Sequence, residues 1–210
     1  MVCISKAREK KLAEIGVRDS KLLTRRKREF LFEEINSLAE EVKTISIDAE
    51  EINRSMAAKI SLNQLEALKF ASIIDSLNGD VARVYLDSPD VIPYKFGIRI
   101  SVFSKKLIKV KGVPSSRGKS PFITVIAEHK ADSRYPVASS ASIIAKVSRD
   151  REIERIKDRL GIDFGSGYPS DKVTIAAIRA NMDNQKATSY IRNRWKTLQT
   201  IRQLKINEFF

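Results

Sequence analysis

Residues Pro121 to Ile153 read P-F-I-T-V-I-A-E-H-K-A-D-S-R-Y-P-V-A-S-S-A-S-I-I-A-K-V-S-R-D-R-E-I. Ile123, Thr124 and Val125 are three β-branched residues in a row, followed by Ile126 and Ala127, the pattern of a short strand buried on both faces. Asp132 comes just past the end of that strand. From about Val137, Ala141, Ile144, Ala145 and Ser148 fall on one helical stripe, small enough for the helix to lie close against a sheet. The stretch predicts a strand and then a helix, with an acid where one gives way to the other.

A second acid is presented in the same way. Val81 to Leu86 (V-A-R-V-Y-L) is β-rich, and Asp87-Ser88-Pro89 breaks it with turn chemistry, which puts the Asp87 carboxylate at a strand's carboxyl end. In open sheets covered by helices, ligands bind along that edge. Two carboxylates at neighbouring strand ends of a basic chain suit hard divalent cations held against a phosphate. An Asp after a strand also forms turns and caps helices, so neither residue identifies a site alone.

A chain of 210 residues with 42% hydrophobic content is long enough for one domain with a proper core. Lys and Arg number 39 against 26 acids, a net charge of +13 that favours an anionic partner, nucleic acid above all. Between Val91 and Ala127 there is no acid, while Lys95, Arg99, Lys105, Lys106, Lys109, Lys111, Arg117 and Lys119 supply positive charge beside both candidate acids. This segment reads as a phosphate track. Its stretch from Lys105 to Lys111 also reads as a solvated edge strand, since edge strands favour Lys. A glycine- and proline-containing loop, Gly112 to Lys119, follows it. Cys3 is the sole cysteine, which excludes an internal disulfide. No apolar run approaches the ~20 residues of a membrane span, and no signal-peptide pattern opens the chain. A cytoplasmic, monomeric protein without membrane contact is expected.

Elsewhere, Met1 to Ile4 is strand-like and Ser5 to Thr24 charged and irregular. Thr24 can cap a helix carrying Leu31, Ile35, Leu38 and Val42, with Arg25 to Arg28 crowding its first turn. Thr44 to Asp48 reads as a short strand and Ala49 to Ile60 as helix and loop. Ser61 and Gln64 form a capping-box pattern before a helix with Phe70, Ile73, Ile74 and Leu77 on one face, ended by Gly79. Gly161 to Ser170 is a glycine-rich loop holding Tyr168 between Gly167 and Pro169. Helical segments are predicted for Val173 to Met182 and Thr188 to Arg202, with Trp195, Leu198 and Ile201 as core. His129, the sole histidine, has no second soft ligand and is given no metal role.

Five segments carry a resemblance: G-V-R-D-S-K-L-L-T at Gly16 to Thr24, Y-L-D-S at Tyr85 to Ser88, A-E-H-K-A-D at Ala127 to Asp132, A-S-I-I-A-K-V-S-R-D at Ala141 to Asp150, and G-S-G-Y-P-S-D at Gly165 to Asp171. In order and spacing they resemble ribonuclease HII of the archaeal type, from Gly16 through Trp195. The resemblance implies an α/β fold, the ribonuclease H-like mixed sheet flanked by helices, over residues 1–172, with a C-terminal helical extension over 173–202. It further implies an endonuclease that hydrolyses the RNA strand of RNA–DNA hybrids and cuts at ribonucleotides embedded in DNA duplexes. Products would carry 5′-phosphate and 3′-hydroxyl ends.

The family uses four carboxylates around two ions, Mg2+ or Mn2+; Asp87 and Asp132 match two of them. The other two come from an Asp-Glu pair followed by Gly-Arg-Gly, and neither motif occurs in this sequence. Metal affinity and turnover are therefore expected to be reduced, and the alternative is a non-catalytic remnant that binds nucleic acid and a clamp. The abrupt apolar opening motivates the further expectation of an internal start, with roughly 20 residues preceding Met1 in the full product. By the same resemblance Lys21 and Tyr168 contact nucleic acid, Tyr168 stacking near the RNA–DNA junction where a 2′-hydroxyl marks the ribonucleotide. The tail, residues 203–210, resembles the sliding-clamp (PCNA) binding box: Ile206, Phe209 and Phe210 would form an apolar plug beside Gln203.

Overall fold

The computed structural model describes residues 1–114, 122–195 and 198. Two compact units are formed, Met1–Ile45 with Leu62–Val147, and Ser46–Ser61 with Ser148 onward. One changeover between them falls between Val147 and Ser148.

In the first unit, β1 (Val2–Cys3) is followed by α1 (Lys6–Glu14), a 3-10 turn at Ser20–Leu22, α2 (Arg25–Leu38) and β2 (Glu41–Val42). The apolar opening is a strand, antiparallel to β2 with Val2 opposite Val42. The segment expected to be irregular instead contains α1, because K-A-R-E-K-K-L-A-E is built from Ala and straight-chain residues that lose little freedom in a helix. Thr24 caps α2 as predicted, its Oγ1 accepting from the Lys27 N–H at 3.2 Å. Leu31 and Ile35 are fully buried and join Leu12, Leu23, Ile143, Ile144 and Val147 in one core. Of the first-turn cations, Arg28 donates to the carbonyls of Leu23 at 2.6 Å and Ser20 at 3.3 Å, so that charge anchors the preceding turn.

Thr44–Asp48 is not a strand. The ladder ends where the Lys43 N–H donates to the Met1 carbonyl, and β-branched residues beyond it find no ladder to join. After α3 (Ala49–Ala57), which belongs to the second unit, α4 runs from Leu62 to Asp75 with Ala67, Ala71, Ile73 and Ile74 buried. It stops four residues before Gly79. Beyond it, the Asp75 carboxylate accepts from Ser104 Oγ at 2.6 Å and from the Lys105 N–H at 3.0 Å.

The sheet comprises β3 (Arg83–Asp87), β4 (Ile108–Val110) and β5 (Ile123–Glu128), all parallel in the order β3-β5-β4. Central β5 buries Ile123, Val125 and Ile126, hence side chains on both faces, as its β-branched run predicts. β4 is the edge strand that the alternating lysines suggest. Between β3 and β4 lies α5 (Pro93–Phe103), which the sequence reading missed in favour of the charge of that segment. Its signals were Pro93 at the first position and apolar Phe96 and Ile100 one turn apart. Gly97 lets it approach the sheet: a Cβ there would lie 2.8 Å from Val110 Cγ1.

The chain then makes α6 (Ala131–Arg134) and α7 (Pro136–Leu160). α7 buries Ala138, Ser139, Ser140, Ile143, Ile144 and Val147. Ala145, expected on the buried stripe, is exposed, while Ala141 and Ser148 are half-buried. The inward face is thus turned toward Ile143 and Val147, since the larger branched side chains fill the core that small ones leave open.

The second unit holds the end of α7, α8 (Lys172–Ala180) and α9 (Gln185–Thr188). Of the helix predicted from Thr188 to Arg202, residues 189–195 are not helical, Leu198 is, and 196, 197 and 199–202 lie outside the described residues. α9 starts earlier and ends at Thr188; Asn184 caps it by accepting from the Lys186 and Ala187 N–H groups. Ile178 and Leu198 form a small core with Ile175, Met182, Ile191 and Trp195 packed on it; Ile201 lies outside the described residues. In α3, the Asn53 side chain donates to the Ile191 carbonyl at 3.0 Å and accepts from the Asn193 N–H at 2.8 Å. Among the described residues no helix is long and apolar enough to cross a membrane.

Candidate active site

Asp87 is the last residue of β3, paired in register with Glu128, the last residue of β5. Its side chain is exposed, and its Oδ1 accepts from the Ala131 N–H at 3.4 Å. Asp132 directly follows Ala131. The chain reaches it through Lys130, a non-glycine residue in the left-handed region (φ 56°), which turns β5 sharply into α6. The turn carrying one predicted acid is thus hydrogen-bonded to the other, and the two strand ends converge.

Asp132 is 7% exposed. Lys21 reaches it, Nζ to Oδ2 3.8 Å, from a side chain that is itself 79% exposed. Lys21 is held by its own turn: Asp19 Oδ1 accepts from the Lys21 N–H at 3.0 Å, Asp19 Oδ2 accepts from Ser133 Oγ at 3.2 Å, and Ser20 Oγ lies 3.0 Å from Ser142 Oγ. The Asp19-Ser20-Lys21 turn is therefore fastened to α6 and α7 beside Asp132. Ser139 Oγ also donates to the Asp132 carbonyl.

Glu128, which the sequence reading quoted but gave no role, is the hub of this end of the sheet. Its carboxylate takes Lys111 Nζ at 3.0 Å, Arg134 NH1 at 2.9 Å and Tyr135 OH at 3.0 Å. The Lys111 hydrogen bond, with those from Arg134 and Tyr135, holds its carboxyl below the usual range, against a partial opposing effect of burial. Burial, reinforced by donation to Glu128, raises the Tyr135 phenol. The Tyr135 ring packs on Tyr85 of β3 with centroids 4.3 Å apart. Glu128 thus straps the C-terminal end of α6 to the sheet, while Asp87 holds its N-terminal end through Ala131. Its only sequence signal was an acid at a strand end with cations at 111, 130 and 134, a pattern that surface ion pairs share.

Asp87 and Asp132 offer oxygen donors alone, which fit a hard divalent ion that keeps water or takes phosphate oxygens for the rest of its shell. Among the described residues no group of three or more His, Cys, Asp or Glu side chains could hold a metal ion. His129 Nε2 lies 3.3 Å from the Val91 carbonyl.

Tyr168 lies in the second unit, 41% exposed, with the Arg149 guanidinium 3.9 Å from its ring centroid. Its loop is fixed by Asp171, which accepts from Ser166 N–H and Oγ, both at 2.7 Å, and from the Val173 N–H at 2.9 Å. Thr174 Oγ1 accepts from the Gly167 N–H at 3.0 Å and donates to the Phe164 carbonyl at 2.8 Å. These bonds pull the Asp171 carboxyl down to about 2, the Ser166 N–H contributing most. Because the folded value lies below the ordinary one, the loop's stabilisation is complete above the usual carboxylate range and is lost as pH falls through about 2. A carboxyl carbon NMR titration is expected to give Asp171 a midpoint near 2, and Asp171→Asn is expected to raise amide exchange at Ser166 and Gly167 at neutral pH. Gln203, Ile206, Phe209 and Phe210 lie outside the described residues, as do Arg117 and Lys119 of the basic segment.

The geometry can be set against known proteins. The family model for ribonuclease HII matches residues 1–198. Ribonuclease HII of Archaeoglobus fulgidus is 39% identical over 201 residues, 96% of this chain and 87% of that protein. The crystal structure of ribonuclease H2 from Pyrococcus horikoshii superposes with a TM-score of 0.79 at 36% identity, covering 96% of this chain and 87% of that one. The Archaeoglobus fulgidus enzyme in a PCNA:RNase HII complex gives a TM-score of 0.74 at 37% identity, covering 90% of this chain and 82% of that one. A match across both compact units, in sequence and in fold, leaves one conclusion: the chain belongs to the ribonuclease HII family.

Proposed function

We propose that this chain is a ribonuclease H type endonuclease that hydrolyses the RNA strand of RNA–DNA hybrids and cuts at ribonucleotides within DNA duplexes. The observation that carries the reading is the hydrogen bond from Ala131 to Asp87, which ties the turn leading to Asp132 to the other predicted acid, with Lys21 beside Asp132. Family membership supplies the reaction class.

Asp87 and Asp132 would hold the divalent ion, Mg2+ or Mn2+. When bound there, such an ion would supply Lewis-acid activation of a water and charge stabilisation at the leaving oxygen. Lys21, exposed beside Asp132, binds a phosphate oxygen and sets the strand's register. Tyr168 stacks on the sugar at the junction while the 2′-hydroxyl is read, which directs cutting to the ribonucleotide. The exposed lysines Lys95, Lys105 and Lys109 extend positive charge along the backbone of the duplex. Products carry 5′-phosphate and 3′-hydroxyl ends. The tail with Gln203, Ile206, Phe209 and Phe210 docks on a sliding clamp, a reading supported by the complex of the Archaeoglobus fulgidus relative with PCNA. The protein works as a cytoplasmic monomer.

A second reading, duplex and clamp binding without hydrolysis, is favoured by the small number of acids: no third metal-binding side chain joins the two among the described residues. One experiment separates them. A labelled DNA duplex with a single ribonucleotide is incubated with the protein and Mn2+, and the product ends are mapped. Cleavage leaving 3′-hydroxyl ends supports the nuclease; retention of the intact duplex, with salt-sensitive binding, supports the second reading. Deleting Phe209 and Phe210 is expected to abolish clamp binding and leave cleavage of a short duplex unchanged.

A further inference from the structure

The tyrosine assigned above to the sugar is not held by its loop alone. Arg149, on α7, lies with its guanidinium carbon 3.9 Å from the Tyr168 ring centroid, close enough for a cation–π contact. The approach depends on Gly167, which has φ 70°; a Cβ there would fall 3.0 Å from Ile153 Cδ1 and 3.2 Å from Arg149 NH2. The loop thus comes down onto α7 at a backbone angle that strains any residue with a side chain, close against the ends of Ile153 and Arg149. Arg149 is steadied in turn by Asp150, NH1 to Oδ1 3.4 Å, with its side chain 32% exposed. Asp171 and Thr174 fix the loop backbone on either side of Tyr168, but neither touches the ring in these bonds. A ring on a rigid backbone still turns about its own side-chain bonds. The Arg149 guanidinium, over the face of the ring, bears directly on its plane.

We infer that Arg149 is a positioning residue for ribonucleotide recognition: it holds the Tyr168 ring in the orientation that receives the sugar. The inference rests on the reading of Tyr168 given above. Planarity matters as well as charge, because a guanidinium stacks flat on a ring and a lysine ammonium does not. An ordered ring forfeits less freedom on binding, so the contact is felt in affinity for the ribonucleotide site. A phosphate contact by Arg149 would instead strengthen binding to every duplex alike.

The test uses the full-length protein in EDTA, so that no strand is cut. Fluorescence anisotropy measures affinity for a short duplex with one ribonucleotide and for its all-DNA counterpart. The ratio is compared for wild type, Arg149→Met, Arg149→Lys, Tyr168→Ala and the double variant Arg149→Met with Tyr168→Ala. The expected result is a wild-type preference that falls roughly threefold to tenfold in Arg149→Met. Arg149→Lys, which keeps the charge and the fold, is expected not to restore it. In the Tyr168→Ala background, removing Arg149 is expected to have no further effect on the ratio. The inference is overturned if Arg149→Lys matches wild type, if Arg149→Met keeps the wild-type ratio, or if the same loss persists without the ring. A wild-type protein that shows no preference overturns the reading of Tyr168 itself, and the inference with it.

Discussion

Asp87→Asn is expected to lower divalent-ion-dependent cleavage of a ribonucleotide-bearing duplex by a factor on the order of 10³ or more, with the thermal midpoint scarcely moved. The two effects separate because of where Asp87 stands. It is exposed at the end of β3, and its bond from the Ala131 N–H is long, 3.4 Å, so little folding energy depends on it. An asparagine oxygen can still accept that bond. What disappears is the negative charge, one of the two proposed to hold the ion, and with it several kcal/mol of stabilisation of the phosphoryl transition state. Mn2+ affinity, read by isothermal titration, should fall in parallel. Cleavage and Mn2+ affinity unchanged in the Asn variant would place the metal away from these two strand ends and remove the basis of the proposed mechanism.

Phe96→Ala is expected to cost about 3–5 kcal/mol of folding stability. Phe96 is fully buried, meets Phe70 edge to face with centroids 5.8 Å apart, and packs among Ala67, Ala71, Ile74, Val84, Leu86, Ile100, Ile123 and Val125. Its neighbours on two helices and two strands are tied into their own ladders and turns, so they cannot collapse into the space it leaves. Gly97 makes the fit closer still by bringing α5 down onto Val110. Domains of this kind have about 5–15 kcal/mol in total, so about a fifth or more would be lost. Urea unfolding should show a much lower midpoint at an unchanged slope. A loss below about 1 kcal/mol would mean that α5 is not seated on the sheet as described.

The framework of the site was legible because it is local. The β-branched run of Ile123 to Val125 and the break at Asp87-Ser88-Pro89 each announce a strand end, and both acids stand where those signals put them. Thr24 capped its helix for the same reason: a hydroxyl bonding an amide three residues on needs no distant partner. The errors share the opposite character. Thr44 to Asp48 has strand propensity but no ladder to join, and α5 was hidden under the charge of its segment. The cap at Asn184 lies just upstream of the predicted start at Thr188, with no apolar period to mark it.

The sequence by itself determined the strands that end at Asp87 and before Asp132, the long helix that follows, the excess of positive charge and the motifs that placed the chain in its family. It could do so because backbone preference, hydrophobic period and turn chemistry act over a few residues. Only the tertiary structure decided what those residues meet: Ala131 bonded to Asp87 across 44 positions, Ser133 bonded to Asp19 across 114, Glu128 clasping Lys111 and Arg134, and Arg149 under the ring of Tyr168. Side-chain hydrogen bonds and ring contacts depend on separations of a few ångströms. Those separations are fixed by the sheet register and by how α7 packs, which no short window of the chain contains.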